Sequence, residues 1–329
     1  MDLAAARAQP RIRLFREGLG LHPFAERWAQ AKIALQGQED VPPSSFDRTS
    51  LSQLRPRVAW PLWRGRFFEP RRAIVTNLFN HTPTPIELGW SVRKTQARDF
   101  RGRDLTYDSH NGTDFSIPVG TPVLAAAPGE VVRVVSEFNR GGLKVFIDHG
   151  EGLFTTSAHL ARALVREGQR VARGEAIALS GYSGLDALVT FPFGTPHVHF
   201  NTWLDGEPVD PFPHEGHASL WRAGDLPEPM REPVVGERFA PSDYSDEGVA
   251  AAIAACKTAS SREELSAAKP LSARAGRLLV EMNYYPTRFP ERPFIYQERH
   301  GRAPRLDLPF PADAFDGIAF VDDLPPHRS

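Results

Sequence analysis

The chain has 329 residues, with 39 Lys and Arg against 40 Asp and Glu, for a formal net charge of −1. That balance argues against a nucleic-acid partner, because neutralising phosphates needs a basic surface. A single cysteine, Cys256, excludes an internal disulfide and a thiolate metal cage.

The N-terminus lacks a basic start followed by an apolar run, so it shows no secretory signal. The longest apolar run, Val249–Cys256, has eight residues, too few for a membrane span. Read literally, the chain is cytoplasmic.

Residues 1–70 read as an N-terminal extension, helical and then Pro-rich. Its best helix is His22–Gln36, with Phe24, Trp28, Ala31 and Leu35 at helical spacing. From Ala73 the texture becomes β. The runs AIVTNLF and IELGWSV are short, branched and aromatic, and a turn-like NHTPTP separates them. Residues 71–217 form the β segment, with its motif-bearing core at 100–213. Strands are expected at Thr121–Ala126, Gly129–Val135, Leu143–Asp148 and Leu153–Ala158. Short strands without intervening helices indicate a mainly β fold, an antiparallel sheet or barrel. Residues 218–329 read as a Pro-rich and helical extension. A linker is expected at 225–241 and helices at Asp246–Cys256, Ser261–Ala268 and Leu271–Tyr284. The second of these opens on a capping box, Ser261-x-x-Glu264.

The 11 His are unevenly placed, seven of them between residues 110 and 217. His110-x-x-x-Asp114 spans an Asn-Gly turn at a strand entry. That geometry can aim both side chains at one metal ion, or make only a surface hydrogen bond. Roughly one His-x-x-x-acid match arises by chance in a chain of this composition, and His22–Glu26 is another. His197 and His199 share one face of a strand, about 7 Å apart, while Val198 and Phe200 share the other. The pair suits one metal ligand beside one proton-transfer group. His159 ends an alternating strand, where a lone His is more often structural than functional. Three motifs mislead. His214-Glu-Gly-His217 lacks the spacing of a zinc helix. Gly181-Tyr-Ser-Gly184 is one residue short of a nucleophile elbow. Cys256 sits in an Ala-rich helix and reads as core. His149, in Ile-Asp-His-Gly, reads as a turn residue.

In order along the chain stand His110-Asn-Gly112-Thr-Asp114, Gly120-Thr-Pro-Val-Leu-Ala-Ala-Ala-Pro-Gly129-Glu-Val131, His149-Gly150, Ala158-His159-Leu160, Val171-Ala-Arg-Gly174-Glu-Ala-Ile177-Ala-Leu-Ser-Gly181, His197-Val-His199-Phe200 and Pro208-Val-Asp-Pro211. This ordered set resembles the LytM/lysostaphin-type zinc metallopeptidases, peptidase family M23, over about a third of the chain. The resemblance implies a β-sheet cradle with a groove. It implies Zn2+ on His110, Asp114 and His199, with His159 and His197 as the non-ligand catalytic pair. It also implies hydrolysis of peptide bonds in peptidoglycan stems or cross-bridges, and a site of action outside the cytoplasm.

The chain departs from the family's pattern in two ways within the motif core. Ser157 stands where the family often has Tyr, and Tyr107 is a candidate to supply a phenol instead. The loop 182–196 is longer and more apolar than usual and is expected to rim the groove. Two other functions compete with an active peptidase. A non-catalytic LytM-like binding or regulatory module would not need the complete ligand set. A phosphocarrier-like domain would need neither Asp114 nor a third His.

Overall fold

The computed structural model describes residues 1–82, 89–229 and 237–325. Helices α1 (Leu3–Arg7), α2 (Phe24–Gln36) and α3 (Pro56–Trp63) precede the first strand. The strands are β1 (Arg72–Asn77), β2 (Thr113–Ser116), β3 (Pro122–Leu124), β4 (Gly129–Glu137), β5 (Gly142–Asp148), β6 (Leu153–Ala163), β7 (Arg170–Val171) and β8 (Ala176–Ser180). A short helix α4 (Leu185–Thr190) then leads to β9 (Val198–Leu204) and β10 (Glu207–Pro208). Helices α5 (Asp246–Ala255), α6 (Ala259–Ala267) and α7 (Leu271–Tyr284) follow, and β11 (Gly317–Phe320) closes the order.

The strands form one sheet in the order β11-β1-β2-β9-β6-β5-β4-β7, with β10 on β9 and the β3–β8 pair branching from β6. The sheet is open rather than a closed barrel. It is also mixed: β1 and β11 run parallel, while the other pairs are antiparallel. The parallel contact arises because the C-terminal tail returns to lie beside β1.

The period-two alternation of a strand assigns each sheet face its own cover. On one face, Val145 and Ile147 of β5 and Val198 and Phe200 of β9 pack with Trp221, Phe310 and Phe315 from the tail. On the other, Phe146 and Trp203 meet Leu278, Leu279 and Met282 of α7 and Val249 and Ile253 of α5. Close approach of α7 to the sheet depends on Gly276, where a Cβ would lie 2.8 Å from the Cβ of Val132 on β4.

Several sequence expectations change here. Helix α2 forms, but Phe24, Trp28 and Leu35 face solvent, while Arg27, Ala31 and Ala34 are buried. The guanidinium of Arg27 explains the rotation, since it donates to the Ser136 carbonyl at 2.9 Å and to Ser136 Oγ at 3.0 Å. The capping box is not made. Helix α6 begins two residues earlier, after Thr258, and Ser261 is buried inside it. Within IELGWSV, residues 86–88 lie outside the described residues, and the rest forms only an isolated bridge from Ser91 to Ser45. The middle of the expected 225–241 linker also lies outside them. Cys256 is buried, as its sequence context indicated.

Candidate metal centre

Two strands and the turn that leads into one of them bring the candidate ligands together. His110 precedes β2, Asp114 lies on β2, and His199 lies opposite Asp114 on β9 in the antiparallel register. Both Asp114 and His199 occupy the face turned away from Phe115 and Phe200, so a single alternation places carboxylate and imidazole side by side. The turn that presents His110 passes directly over β9. At Gly112 a Cβ would stand 2.7 Å from the Phe200 carbonyl oxygen and 2.9 Å from His199 Nε2, so only glycine fits.

His110 Nε2 lies 3.0 Å from Asp114 Oδ1, His199 Nδ1 lies 2.7 Å from the same oxygen, and the two nitrogens are 3.2 Å apart. The three donor atoms thus converge on one point, within 4.8 Å of one another. The surroundings prepare them as ligands. His110 Nδ1 donates to the Leu78 carbonyl at 2.6 Å, which fixes the ring and turns Nε2 toward Asp114. Asp114 Oδ2 accepts from Asn77 Nδ2 at 2.8 Å. Burial alone would raise Asp114, but His110, His197 and His199 hold it well below the usual carboxylate range, so it is an anion. Burial lowers His199, keeping it neutral. The Asn201 amide, two residues along the same face of β9, lies 2.9 Å from His199 Nε2 and donates to the Asn111 carbonyl at 2.9 Å.

His159 and His197 stand beside this cluster with ring centroids 4.8 Å apart. Each imidazole donates through Nδ1 to a carbonyl, His159 to Ser183 and His197 to Thr195, both at 2.8 Å, so each presents Nε2. Burial, then the neighbouring His197 and His199, push His159 well below the ordinary imidazole value, leaving it an unprotonated base. Its position depends on a bulge. Between β5 and β6, Val145 pairs with Ser157 but Leu143 pairs with Leu160, so β6 carries one extra residue. His159 sits in that bulge at φ 59°, a left-handed conformation uncommon for a side-chain-bearing residue. The bulge switches β6's alternation, which would otherwise send His159 toward the core with Leu153.

A cavity of about 110 Å³ opens on His110, His159 and His199. Its walls include Phe46 from the N-terminal segment, Trp90, Arg140 from the β4–β5 turn, Leu185 and Asp186 of α4, and Tyr284 of α7. The loop 182–196 therefore does rim the groove. Tyr107 also lines the cavity, with its ring 4.5 Å from that of His110. Tyr182 reaches the site as well, with its ring 4.9 Å from His197 and 5.6 Å from His159.

The remaining motifs fall elsewhere. His214 stacks on His81, and Ser183 Oγ is spent on the Leu160 carbonyl at 2.7 Å. His149 opens the turn between β5 and β6 and is buried there, bonded to the Pro128 carbonyl and Thr155 Oγ1. Asn77 and Arg140 carried no motif signal, and Tyr182 stood only in the failed elbow and at the start of the loop expected to rim the groove. Asn201 could have been found from its period-two spacing after His197 and His199.

Residues 108–211 match the family model described as Peptidase family M23. Among curated proteins, the chain is similar to an uncharacterized metalloprotease of Haemophilus influenzae, 39% identical over 102 residues, covering 31% of this chain and 20% of that protein. It is also similar to two Vibrio cholerae proteins. One is the peptidoglycan DD-endopeptidase ShyA, 42% identical over 101 residues, covering 31% of this chain and 22% of the relative. The other is the peptidoglycan DD-endopeptidase ShyB, 39% identical over 151 residues, covering 44% and 32%. The chain thus spans less than a third of the length of each of these relatives.

Proposed function

We propose that this chain, whose residues 108–211 are a peptidase family M23 domain, is a zinc-dependent metalloendopeptidase. On this reading it hydrolyses peptide bonds in peptidoglycan stems or cross-bridges. The observation that carries the reading is the convergence of His110 Nε2, Asp114 Oδ1 and His199 Nδ1 beside two further imidazoles that are not part of the cluster. Two imidazole nitrogens and one carboxylate oxygen are the donor set of a hydrolytic zinc site, and they leave a coordination position open. Bound there, the ion would supply Lewis-acid polarisation of a substrate carbonyl and acidify a water molecule. The names of the Vibrio relatives support peptidoglycan as the substrate.

The chain's own residues do the rest. Asp114 contributes the anionic ligand, and Asn77 and the Leu78 carbonyl fix the orientation of Asp114 and His110. His159, held neutral, takes the proton from the attacking water through Nε2. His159 then returns that proton to the leaving amine, while His197, its Nε2 3.5 Å from Asp114 Oδ1, would steady the charge that develops on the carbonyl oxygen when Nε2 carries a proton.

The test is metal analysis of the purified chain together with digestion of a cross-linked muropeptide dimer. One zinc per chain and cleavage that His110→Ala abolishes are expected. Stoichiometric zinc without cleavage of any cross-linked peptide would refute catalysis, and a zinc-free protein that still binds the dimer would establish the non-catalytic module instead.

A further inference from the structure

One charged group in this cavity has no part in the chemistry above. Arg140 occupies the turn between β4 and β5 and is only 6% exposed, yet it lines the cavity together with Asn139 and Gly141. The turn is tied to the reacting groups, since the Gly141 carbonyl accepts from the His159 backbone N–H at 2.8 Å.

The guanidinium is nearly without partners. Among the described residues its Nε has no hydrogen-bond partner, and Nη1 reaches only the adjacent Asn139 carbonyl, at 3.4 Å. The acid whose charge it feels, Glu137, is committed elsewhere. Glu137 Oε2 accepts from Lys144 Nζ at 2.9 Å and Oε1 from the Tyr285 hydroxyl at 2.6 Å. Two aromatic rings flank the guanidinium, Trp90 at 5.7 Å and Tyr285 at 5.6 Å. Burial lowers its pKa to about 10, so it is still a cation at neutral pH.

Burying a cation without its counter-ion is costly, and the cost is recovered when an anion enters. A planar guanidinium between aromatic walls matches a carboxylate, which it can hold through two parallel N–H bonds. We propose that Arg140 binds a carboxylate of the substrate peptide, so that the enzyme selects peptides carrying a free acid close to the cleaved bond. The inference rests on the peptidase reading of the same cavity. The acid can be a chain-terminal carboxylate or a side-chain carboxylate, and the two sources are separated by the substrates used.

A cross-linked muropeptide dimer with free peptide carboxylates is compared with three amidated forms: terminal, side-chain and both. kcat/KM is measured on the zinc-loaded wild type, Arg140→Gln and Arg140→Lys. The wild type prefers the free acid over the doubly amidated dimer by about 10- to 100-fold, as expected for a charge-assisted pair. The singly amidated form that loses rate identifies the carboxylate. Arg140→Gln brings the preference close to one, with the loss falling on KM, and Arg140→Lys retains part of it. A wild type indifferent to amidation, or a preference that survives in Arg140→Gln, overturns the proposal.

A binding measurement keeps this result separate from the peptidase reading. The free-acid and doubly amidated dimers are titrated calorimetrically into His110→Ala, and into His110→Ala combined with Arg140→Gln. Tighter binding of the free acid that disappears in the double variant supports Arg140 even where no dimer is cleaved, and equal binding of the two dimers overturns it. If Arg140→Gln does not fold, Arg140→Lys and the wild-type substrate series decide.

Discussion

Asn77 offers the sharpest test of how the ligand set is held, because it touches Asp114 and no substrate. It lies on β1, opposite Asp114, where the β1–β2 register shifts. Its Nδ2 donates at 2.8 Å to Asp114 Oδ2. Oδ1 of the same carboxylate is shared among His110, His197 and His199, so Asn77 is the only partner of Oδ2 among the described residues. Asn77→Leu keeps the branched shape, with two methyl groups in place of the amide atoms, and removes that bond. A hydrogen bond to a charged group is worth about 1.5–3 kcal/mol, which converts to roughly a 10- to 100-fold loss of metal affinity at about 1.4 kcal/mol per tenfold. Partners in a ligand's outer shell cost the same order when removed. The fold should suffer less, because the buried Asn77 Oδ1 has no partner among the described residues and its loss breaks no bond there. Chelator-competition titration of zinc into wild type and Asn77→Leu measures the effect, with the urea midpoint as the control for folding. An affinity within threefold of wild type would refute the reasoning, because Asp114 would then be held by the histidines alone.

Two further perturbations probe the scaffold. Burial pushes His149 down from 6.5 to about 4, so the folded protein binds this proton more weakly than the unfolded chain does. The stability that depends on a neutral His149 is therefore complete above pH 6.5 and is lost as pH falls toward 4, by roughly 3 kcal/mol in all. Urea midpoints for His149→Gln should fall less between pH 7 and pH 4 than those of the wild type, and parallel pH profiles would show that His149 is not the sensor. Gly276→Leu places a side chain where a Cβ already lies 2.8 Å from Val132, and it should cost about 1–3 kcal/mol or more by prising α7 from β4. An unchanged melting temperature would mean that α7 contributes little to the sheet's stability.

What the sequence revealed and what it hid follow from how far each constraint reaches along the chain. His197 and His199 were legible because a strand's alternation is a two-residue rule. The His110–Asp114 turn was legible because its glycine and acid lie within five residues. The three helices of the C-terminal region form near the stretches expected for them, and α7 has the bounds its sequence indicates. Failures began where a distant partner overruled a local preference. Helix α2 has the apolar spacing of a buried face, yet one guanidinium bonded to Ser136 turns it over and leaves Phe24 and Trp28 in water. The box Ser261-x-x-Glu264 has the right letters, but Glu264 instead pairs with Arg133 at 3.2 Å. Asn77 and Arg140 sit in stretches with no motif, and only the sheet brings them to the site.

The cavity itself follows from where a covering helix stops. His199, Asn201 and Trp203 share one face of β9, and α7 covers that face at Trp203, where Tyr284 packs 6.2 Å from the indole. Helix α7 ends at Tyr284, whose hydroxyl donates to Asn201 Oδ1 at 3.3 Å. One residue pair further along the strand the cover is gone, and His199 opens on the cavity. The boundary between core and site is thus drawn by the C-terminal helix, and Phe46 and Trp90 also line the cavity. Residues 108–211 contribute the donor atoms and the guanidinium of Arg140, and Phe46, Trp90 and Tyr284 from outside that segment complete the cavity.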